Sequence, residues 1–138
     1  MRQIHPYSLW IGHEGDAHDL RHLLSMGLAA LVDLALNELP AKITRELTYC
    51  RFPLLDSNGN PPWLIRLAVA TTAELIRAGV PTLLFCSNGI SRSPVVAAAA
   101  LSRVTGKALD DCLVMLAHEG PADVSPGLWE EVVASLKE

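Results

Sequence analysis

The sequence has few cysteines, and none of them stands in a metal-binding spacing. Cys50, Cys86 and Cys112 are the three cysteines among 138 residues, and they are too evenly spread for a disulfide framework. No Cys-x-x-Cys pair with histidine neighbours is present, which argues against a zinc site. This cysteine usage fits a reducing compartment, and we expect a cytoplasmic protein.

A strong charge of one sign is also missing. The chain has 11 Lys plus Arg against 15 Asp plus Glu, a formal net charge of -4, and its basic residues are scattered. A nucleic-acid backbone or an anionic membrane would require a clustered positive stripe. We therefore expect neither nucleic acid nor a membrane among the partners.

Long apolar runs, internal repeats and low-complexity linkers are absent from the sequence. No stretch approaches the length of about 18 apolar residues that a membrane span needs, and no signal-peptide-like run is present. Half of the residues are nevertheless hydrophobic and 19% are charged, which excludes a disordered segment. We expect a single catalytic domain over residues 1–138, acting as a monomer.

Four short apolar segments predict β-strands, at 9–12, 29–34, 47–52 and 81–85. The last of these is continuously apolar, as in strands that are buried on both faces of a parallel sheet. Helical patterns lie between and after these segments, so strands alternate with helices. The predicted fold class is α/β, with a central, mainly parallel sheet of four to five strands flanked by helices on both sides.

Helix boundaries are suggested by capping residues and by proline and glycine. We expect Asp16 to cap a helix that presents Leu20, Leu23 and Leu24 on one face and ends at Gly27. Further helices are predicted from Pro61 and Pro62 in a first turn through residue 78, from Pro94 through 101, from 109 through 116, and at 126–136 after a cap at Ser125. The segment 95–101 is apolar all round, which predicts a helix buried in the middle of the fold.

The segment 86–93 joins a buried strand to a buried helix. Such a loop presents backbone N–H groups at the positive end of the helix dipole and forms an anion cradle. We expect the cradle to bind a phosphate group through six residues: Ser87, Asn88, Gly89, Ile90, Ser91 and Arg92.

Cys86 lies on the rim of this predicted cradle. The same amides and a nearby guanidinium would stabilise its thiolate, which makes it a candidate nucleophile. Arg92 can hold two phosphoryl oxygens with its planar fork, and Gly89 permits a tight turn. Ser93 can direct its hydroxyl at the sulfur. The alternative is a helix-capping loop that contains a buried structural cysteine.

Four of these positions match a known signature. The segment resembles the phosphate-binding loop of the cysteine-dependent dual-specificity phosphatases, in the protein tyrosine phosphatase superfamily. That signature is Cys, two residues, Gly, two residues, Arg, then Ser or Thr, and Cys86, Gly89, Arg92 and Ser93 match it. The resemblance covers nearly the whole chain and extends to Asp56, in the expected loop about 30 residues before the cysteine.

The resemblance implies a two-step hydrolysis of a phosphate monoester. Cys86 would attack phosphorus to give a cysteinyl-phosphate while Asp56 protonates the leaving oxygen, and water would then release phosphate. A carboxyl on a mobile loop rich in Gly and Pro is suited to this task, although an Asp in a turn commonly only hydrogen-bonds its own backbone. The resemblance implies no cofactor and no metal.

One position departs from the family pattern. The family usually has His immediately before the nucleophile, and this chain has Phe85, which cannot donate the same hydrogen bond. This favours slower turnover and keeps open a catalytically weak or inactive phosphate-binding or scaffold relative. Other thiol enzymes are disfavoured because rhodanese-type loops are shorter, and low-molecular-weight tyrosine phosphatases and arsenate reductases place their loops at the amino terminus.

The expected substrate is a phosphorylated protein or peptide. The loop contains no lysine, so it lacks the additional positive charge that inositol polyphosphates would require. The short chain leaves little room for long recognition loops. The resemblance therefore suggests a shallow site that accepts phosphotyrosine as well as phosphoserine and phosphothreonine.

Several other polar and aromatic residues have simpler interpretations. We expect Cys50 to be a buried apolar residue, with a disulfide to Cys86 as the alternative, and Cys112 to lie in the core. His18 and His22 share a helical spacing but indicate a solvated face. Trp63, just after the Asp56 loop, is expected at the core or rim, with a pocket wall as the alternative.

Overall fold

The computed structural model describes residues 1–137. Its five strands are β1 (Arg2–Gln3), β2 (Leu9–His13), β3 (Ala30–Ala35), β4 (Thr48–Leu54) and β5 (Thr82–Cys86). They form one sheet in the order β1-β2-β5-β3-β4, in which β1 is antiparallel to β2 and all other pairs are parallel. This confirms the predicted α/β class and the mainly parallel sheet.

Six helices surround the sheet within residues 1–137. They are α1 (Glu14–Ala17), α2 (Leu20–Ser25), α3 (Pro62–Arg77), α4 (Arg92–Thr105), α5 (Leu109–Glu119) and α6 (Pro126–Leu136). Helices α3 to α6 cover one face around the larger core cluster, and α1 and α2 cover the other face around a smaller one. Within the described part of the chain, no helix is both long and apolar enough to span a bilayer.

The most buried elements are the ones on either side of the predicted anion loop. Every residue of β5 is buried, and so is every residue of α4 from Arg92 to Leu101. This explains why both segments are apolar in sequence, because water reaches neither face of the strand and no side of the helix. The loop between them is therefore fixed at both ends by the core.

The structure corrects the prediction for the first helix. It has two short helices instead of one, and Asp19 rather than Asp16 caps the second, since Oδ1 of Asp19 accepts a hydrogen bond from the His22 amide (3.2 Å). Asp16 instead accepts a hydrogen bond from the His13 amide (3.0 Å) at the end of β2. The helical pattern groups Leu24 with Leu23 on one apolar face, but in the structure Leu24 is exposed and Leu23 is buried.

Other boundaries differ by a few residues. β4 continues through Pro53, which a strand tolerates at the edge of a sheet. α4 begins at Arg92, so Pro94 lies in the first turn, where no intrahelical partner for its nitrogen is needed. Ser125 occupies the cap position of α6, but its side chain makes no capping hydrogen bond. The two-residue strand β1 was not predicted.

Candidate active site

Cys86 is the last residue of β5 and lies at the carboxyl edge of the parallel sheet. Its side chain is buried, and the amide of Gly89 donates a hydrogen bond to its Sγ atom (3.3 Å). A backbone N–H that points at sulfur is placed to interact with negative charge at that atom. The loop therefore curves back over its own cysteine, as an anion cradle would require.

Gly89 is required at this turn for two reasons. Its φ is +77°, a left-handed conformation that favours glycine, and a Cβ atom here would lie 2.8 Å from the carbonyl oxygen of Gly12. That carbonyl belongs to β2, which lies beside β5. The backbone of the loop thus packs directly against the neighbouring strand.

Arg92 is the first residue of α4, and its side chain is almost completely buried. Its Nη1 donates to the carbonyl oxygen of Leu54 (2.9 Å), and its Nη2 donates to Oγ of Ser87 (2.7 Å). These bonds direct the guanidinium back towards the start of the loop. The structure therefore brings Arg92 and the loop together, as the sequence predicted.

Asp56 lies on the β4–α3 loop and reaches the same place. Its Oδ1 accepts a short hydrogen bond from the hydroxyl of Ser91. The Ser91 hydroxyl oxygen also accepts from the backbone amide of Ser125 (3.0 Å), and the amide of Asp123 donates to the Ile90 carbonyl (2.6 Å). Segments that are far apart in sequence, namely the Asp56 loop and the α5–α6 connection, thus meet at the anion loop.

The Asp56 loop is held by Asn60 and by Glu131 of α6. The Asn60 side chain accepts from the Leu55 amide (2.7 Å) and donates to the Leu55 and Ser57 carbonyls (both 3.1 Å). The Glu131 carboxylate accepts from the Gly59 amide (2.7 Å) and from the Asn60 amide (3.1 Å) and side chain (3.0 Å).

These contacts change the acidity of Glu131. Partial burial works against its charged form, but the hydrogen bonds from Gly59 and Asn60 outweigh it and lower the pKa of Glu131 below its ordinary value. The carboxylate is therefore the stable form of this anchor at neutral pH.

Two further loop residues have distinct environments. Ser93 is buried in α4, and its Oγ has no hydrogen-bond partner among the described residues. An unpaired buried hydroxyl beside an anion site is available to a ligand or to the sulfur. The exposed Asn88 turns inward locally, since its Oδ1 accepts from the Ile90 amide (3.3 Å).

Phe85 and Cys86 point to opposite faces of the sheet. Cys86 belongs to the larger core cluster, whereas Phe85 is buried in the smaller cluster with Ala17, Leu23 and Leu83. This follows from the alternation of side chains along a strand. Phe85 therefore acts as a core residue, and its ring does not lie beside the sulfur.

A disulfide between Cys50 and Cys86 is not compatible with the sheet. Cys50 pairs with Val32 on β3, and Val32 pairs with Leu84 on β5, so one whole strand separates the two cysteines. Their Cα atoms are therefore more than about 10 Å apart. A disulfide needs less than about 7 Å. Cys50 is half-buried against the core, and Cys112 is buried.

The remaining sequence candidates lie outside the site or at its rim. His18 and His22 are exposed, and Nε2 of His18 hydrogen-bonds to Glu14 (2.7 Å). Trp63 is 60% exposed at the start of α3 and is therefore not a core residue. In residues 1–137, no group of three His, Cys, Asp or Glu side chains could hold a metal ion.

Three residues of the site were missed from the sequence. Glu131 and Asn60 anchor the Asp56 loop, and Glu38, in the β3–β4 loop, accepts a hydrogen bond through Oε2 from the Ser87 hydroxyl (2.8 Å). Glu38 precedes Ser87 by 49 residues, and Asn60 precedes Glu131 by 71. Contacts over such separations leave no local sequence signal. The turn-rich composition around Asn60 was the single available indication.

The fold is shared with solved phosphatase structures. A mouse putative dual specificity phosphatase, complexed with zinc tungstate, is 25% identical and has a TM-score of 0.85, covering 99% of this chain and 86% of that chain. Human DUSP28 is 24% identical with a TM-score of 0.85, over 99% and 96%. Human tyrosine phosphatase-like serine/threonine/tyrosine-interacting protein is 16% identical with a TM-score of 0.85, over 99% and 95%.

Comparisons at the level of sequence alone found less. No protein-family model matches the chain, and no curated protein sequence matches it. The structural likeness extends over 99% of the chain in each case above, which includes β5, the anion loop and α4. The chain has the α/β fold of the protein tyrosine phosphatase superfamily, and its predicted resemblance to the dual-specificity phosphatases is confirmed.

Proposed function

We propose that this chain is a phosphate monoester hydrolase, a dual-specificity protein phosphatase that acts through a cysteinyl-phosphate intermediate. The observation that carries the proposal is the convergence of four groups on one loop. These are the Cys86 sulfur with its Gly89 amide, the buried Arg92 guanidinium, and the Asp56 carboxyl attached through Ser91. Similarity to solved phosphatases over the whole fold supports phosphatase activity in general.

The first step transfers the phosphoryl group to the enzyme. The Cys86 thiolate forms a bond to phosphorus as the bond between phosphorus and the leaving oxygen breaks, and Asp56 gives its proton to that oxygen. The loop amides and Arg92 neutralise charge on the three remaining oxygens, which lowers the barrier. Asp56 is attached to the loop through the Ser91 hydroxyl, and in this mechanism it faces the leaving oxygen opposite the sulfur.

The second step returns the enzyme to its starting state. Water attacks phosphorus, Asp56 accepts the water proton, and the bond between sulfur and phosphorus breaks to release inorganic phosphate and the thiolate. The Ser93 hydroxyl, buried and without a partner among the described residues, is available to donate a hydrogen bond to the departing sulfur. Neither step needs a metal ion or a cofactor.

The proposed substrates are phosphorylated proteins or peptides. The loop side chains between Cys86 and Arg92 are uncharged, so one arginine and the backbone amides match one phosphate group. The site is also open to solvent at Asn88 of the loop, which is exposed. The mouse putative dual specificity phosphatase is complexed with zinc tungstate, and tungstate, like phosphate, is an oxyanion.

A second candidate is a phosphate-binding relative with little or no turnover. The observation that favours it is Phe85, since the imidazole that the family usually has before the nucleophile is replaced by a buried ring. Such a protein would bind phosphopeptides through the same loop. It would differ from the proposed enzyme in the rate of the first step.

The test is hydrolysis of 4-nitrophenyl phosphate near pH 6 in the presence of a chelator. We expect Cys86→Ser and Arg92→Ala to abolish activity. Asp56→Ala should lower kcat by about 100-fold for phenyl phosphate under the same conditions, because that leaving oxygen needs the proton, and by much less for 4-nitrophenyl phosphate. Cys50→Ser is the matched control, because it makes the same substitution outside the site. Activity that survives in Cys86→Ser contradicts the mechanism, and phosphate binding without turnover in the wild type favours the second candidate.

A further inference from the structure

Glu38 places a negative charge beside the anion loop. Its Oε2 accepts a hydrogen bond from the Ser87 hydroxyl (2.8 Å), and the same hydroxyl oxygen accepts a hydrogen bond from Nη2 of Arg92 (2.7 Å). The carboxylate oxygen is therefore no more than about 5.5 Å from the guanidinium nitrogen that is expected to bind phosphate. The hydrogen-bonded chain runs from Arg92 through Ser87 to Glu38.

The fold determines which side of the site Glu38 occupies. β3 ends at Ala35, beside β5, and the chain then enters the β3–β4 loop at the same sheet edge as Cys86. Residues 37 and 39 are exposed, and Glu38 itself is half-buried. A group bound next to the phosphate can therefore reach the carboxylate from solvent.

The charge of Glu38 is not neutralised by a direct ion pair. No Lys, Arg or His within residues 1–137 forms a salt bridge with it. Arg51 lies near this loop, since its Nη2 donates to the Leu36 carbonyl (3.4 Å), but it also faces the buried Asp33 carboxylate (3.8 Å). The loop itself contains the exposed Lys42 and Arg45. The negative charge of Glu38 therefore acts on the Arg92 guanidinium even when no phosphate is bound.

We propose that Glu38 is a specificity residue that selects phosphorylated peptides with a cationic side chain beside the phosphorylated residue. A flanking Lys or Arg gains a favourable interaction with the carboxylate, while a flanking acid or second phosphate is repelled by it. Specificity thus arises partly from a repulsive element. This inference rests on the proposed function, because it assigns the substrate class of the same site.

The test compares three phosphotyrosine peptides that differ only in flanking residues: arginine, alanine or glutamate. We expect the wild type to prefer the arginine peptide over the glutamate peptide by about tenfold in kcat/KM, from charges about 5 Å apart near water. In Glu38→Gln the preference should fall to about twofold, since the amide oxygen can still accept from Ser87 but carries no charge.

A matched control is available in the same loop. Glu46 is exposed and precedes β4, so it lies at the opposite edge of the sheet, about 20 Å from the site. Glu46→Gln removes the same charge and should keep the tenfold preference. In the wild type, the preference should also shrink between about 20 and 500 mM salt, a measurement that requires no variant to fold.

Binding separates this inference from the proposed enzymatic function. Calorimetry on Cys86→Ser, with and without Glu38→Gln, reports the peptide preference without turnover. A preference in binding together with no hydrolysis of any peptide by the wild type overturns the enzyme proposal and supports the role of Glu38. Hydrolysis of all three peptides at equal rates overturns the role of Glu38 and leaves the enzyme proposal intact. Neither binding nor hydrolysis of any peptide overturns both.

Discussion

The contact between Glu131 and the Asp56 loop leads to a sharp prediction. Glu131→Ala removes the acceptor of three hydrogen bonds, from Gly59 and twice from Asn60, without touching Cys86 or Arg92. Hydrogen bonds to a charged group are worth about 1.5–3 kcal/mol each when buried. Because Glu131 is only half-buried, we expect its three hydrogen bonds together to stabilise the folded position of this loop by about 1–3 kcal/mol.

The expected kinetic consequence depends on the leaving group. If Glu131 holds the loop so that Asp56 is in position, Glu131→Ala should weaken proton donation from Asp56 to the leaving oxygen. The kcat for an alkyl or phenyl phosphate should then fall by about tenfold or more. 4-Nitrophenolate leaves without full protonation, and its rate should change by less than about twofold. Glu131 is thus a positioning residue, and the steeper dependence of rate on leaving-group pKa is its signature.

The matched control is Glu130→Ala, one residue earlier on α6 and exposed. It should leave both rates unchanged. An equal loss of kcat for both substrates in Glu131→Ala would show a general structural effect. No loss of kcat for either substrate would show that the Asp56 loop keeps its position without Glu131. Each result refutes the positioning role of Glu131.

The pH dependence of stability offers an independent check on the same contact. The folded protein lowers the pKa of Glu131, so the stabilisation is present above the ordinary glutamate pKa and is lost as pH falls through the lowered value. The difference in unfolding free energy between wild type and Glu131→Gln should therefore shrink below about pH 4. A difference that grows in acid would contradict this sign.

Three further perturbations test other parts of the structure. Gly89→Ala should abolish anion binding, measured by calorimetry with inorganic phosphate, because its Cβ would meet the Gly12 carbonyl at 2.8 Å; retained affinity would contradict the close approach. Burial and the Asp33 carboxylate raise the pKa of Tyr49 to about 12, so the advantage of wild type over Tyr49→Phe, about 1–2 kcal/mol at neutral pH, should disappear between pH 10 and 12 in urea titrations. Phe85→His should lower the melting temperature, because an imidazole enters an apolar cluster on the face of the sheet away from Cys86; an unchanged melting temperature would contradict the packing of Phe85 in that cluster.

The sequence predicted the parts of the fold that are determined locally. Continuous apolar character marked β5 and α4 as buried, and the spacing of Cys86, Gly89 and Arg92 located the loop between them. Periodicity was less informative for the segment 14–25. There, two aspartates three residues apart both satisfy the preference for a capping residue, and the choice depends on contacts of Asp16 with β2.

The environment of the loop could not be predicted in the same way. Glu38 and Glu131 are ordinary acidic residues in their own segments, and each reaches the site through a contact across the tertiary structure. The face on which Phe85 lies follows from strand alternation, but the apolar cluster that receives it is built by α1 and α2 from another part of the chain. Local patterns therefore identified the central loop residues and missed the residues that support them.

The hydrogen bonds that join Ser91 to Asp56 and Ser125 affect how this protein tolerates truncation and circular permutation of its chain. One hydroxyl connects a loop near the middle of the chain to an acid that precedes it by 35 residues and to a backbone amide that follows it by 34. A fragment that ends before Ser125 would keep Cys86, Arg92 and Asp56, yet it would lack the Ser125 amide, one of the two groups that hydrogen-bond to the Ser91 hydroxyl. Circular permutants opened within residues 121–125 should consequently fold less cooperatively around the site than permutants opened at the exposed α4–α5 turn.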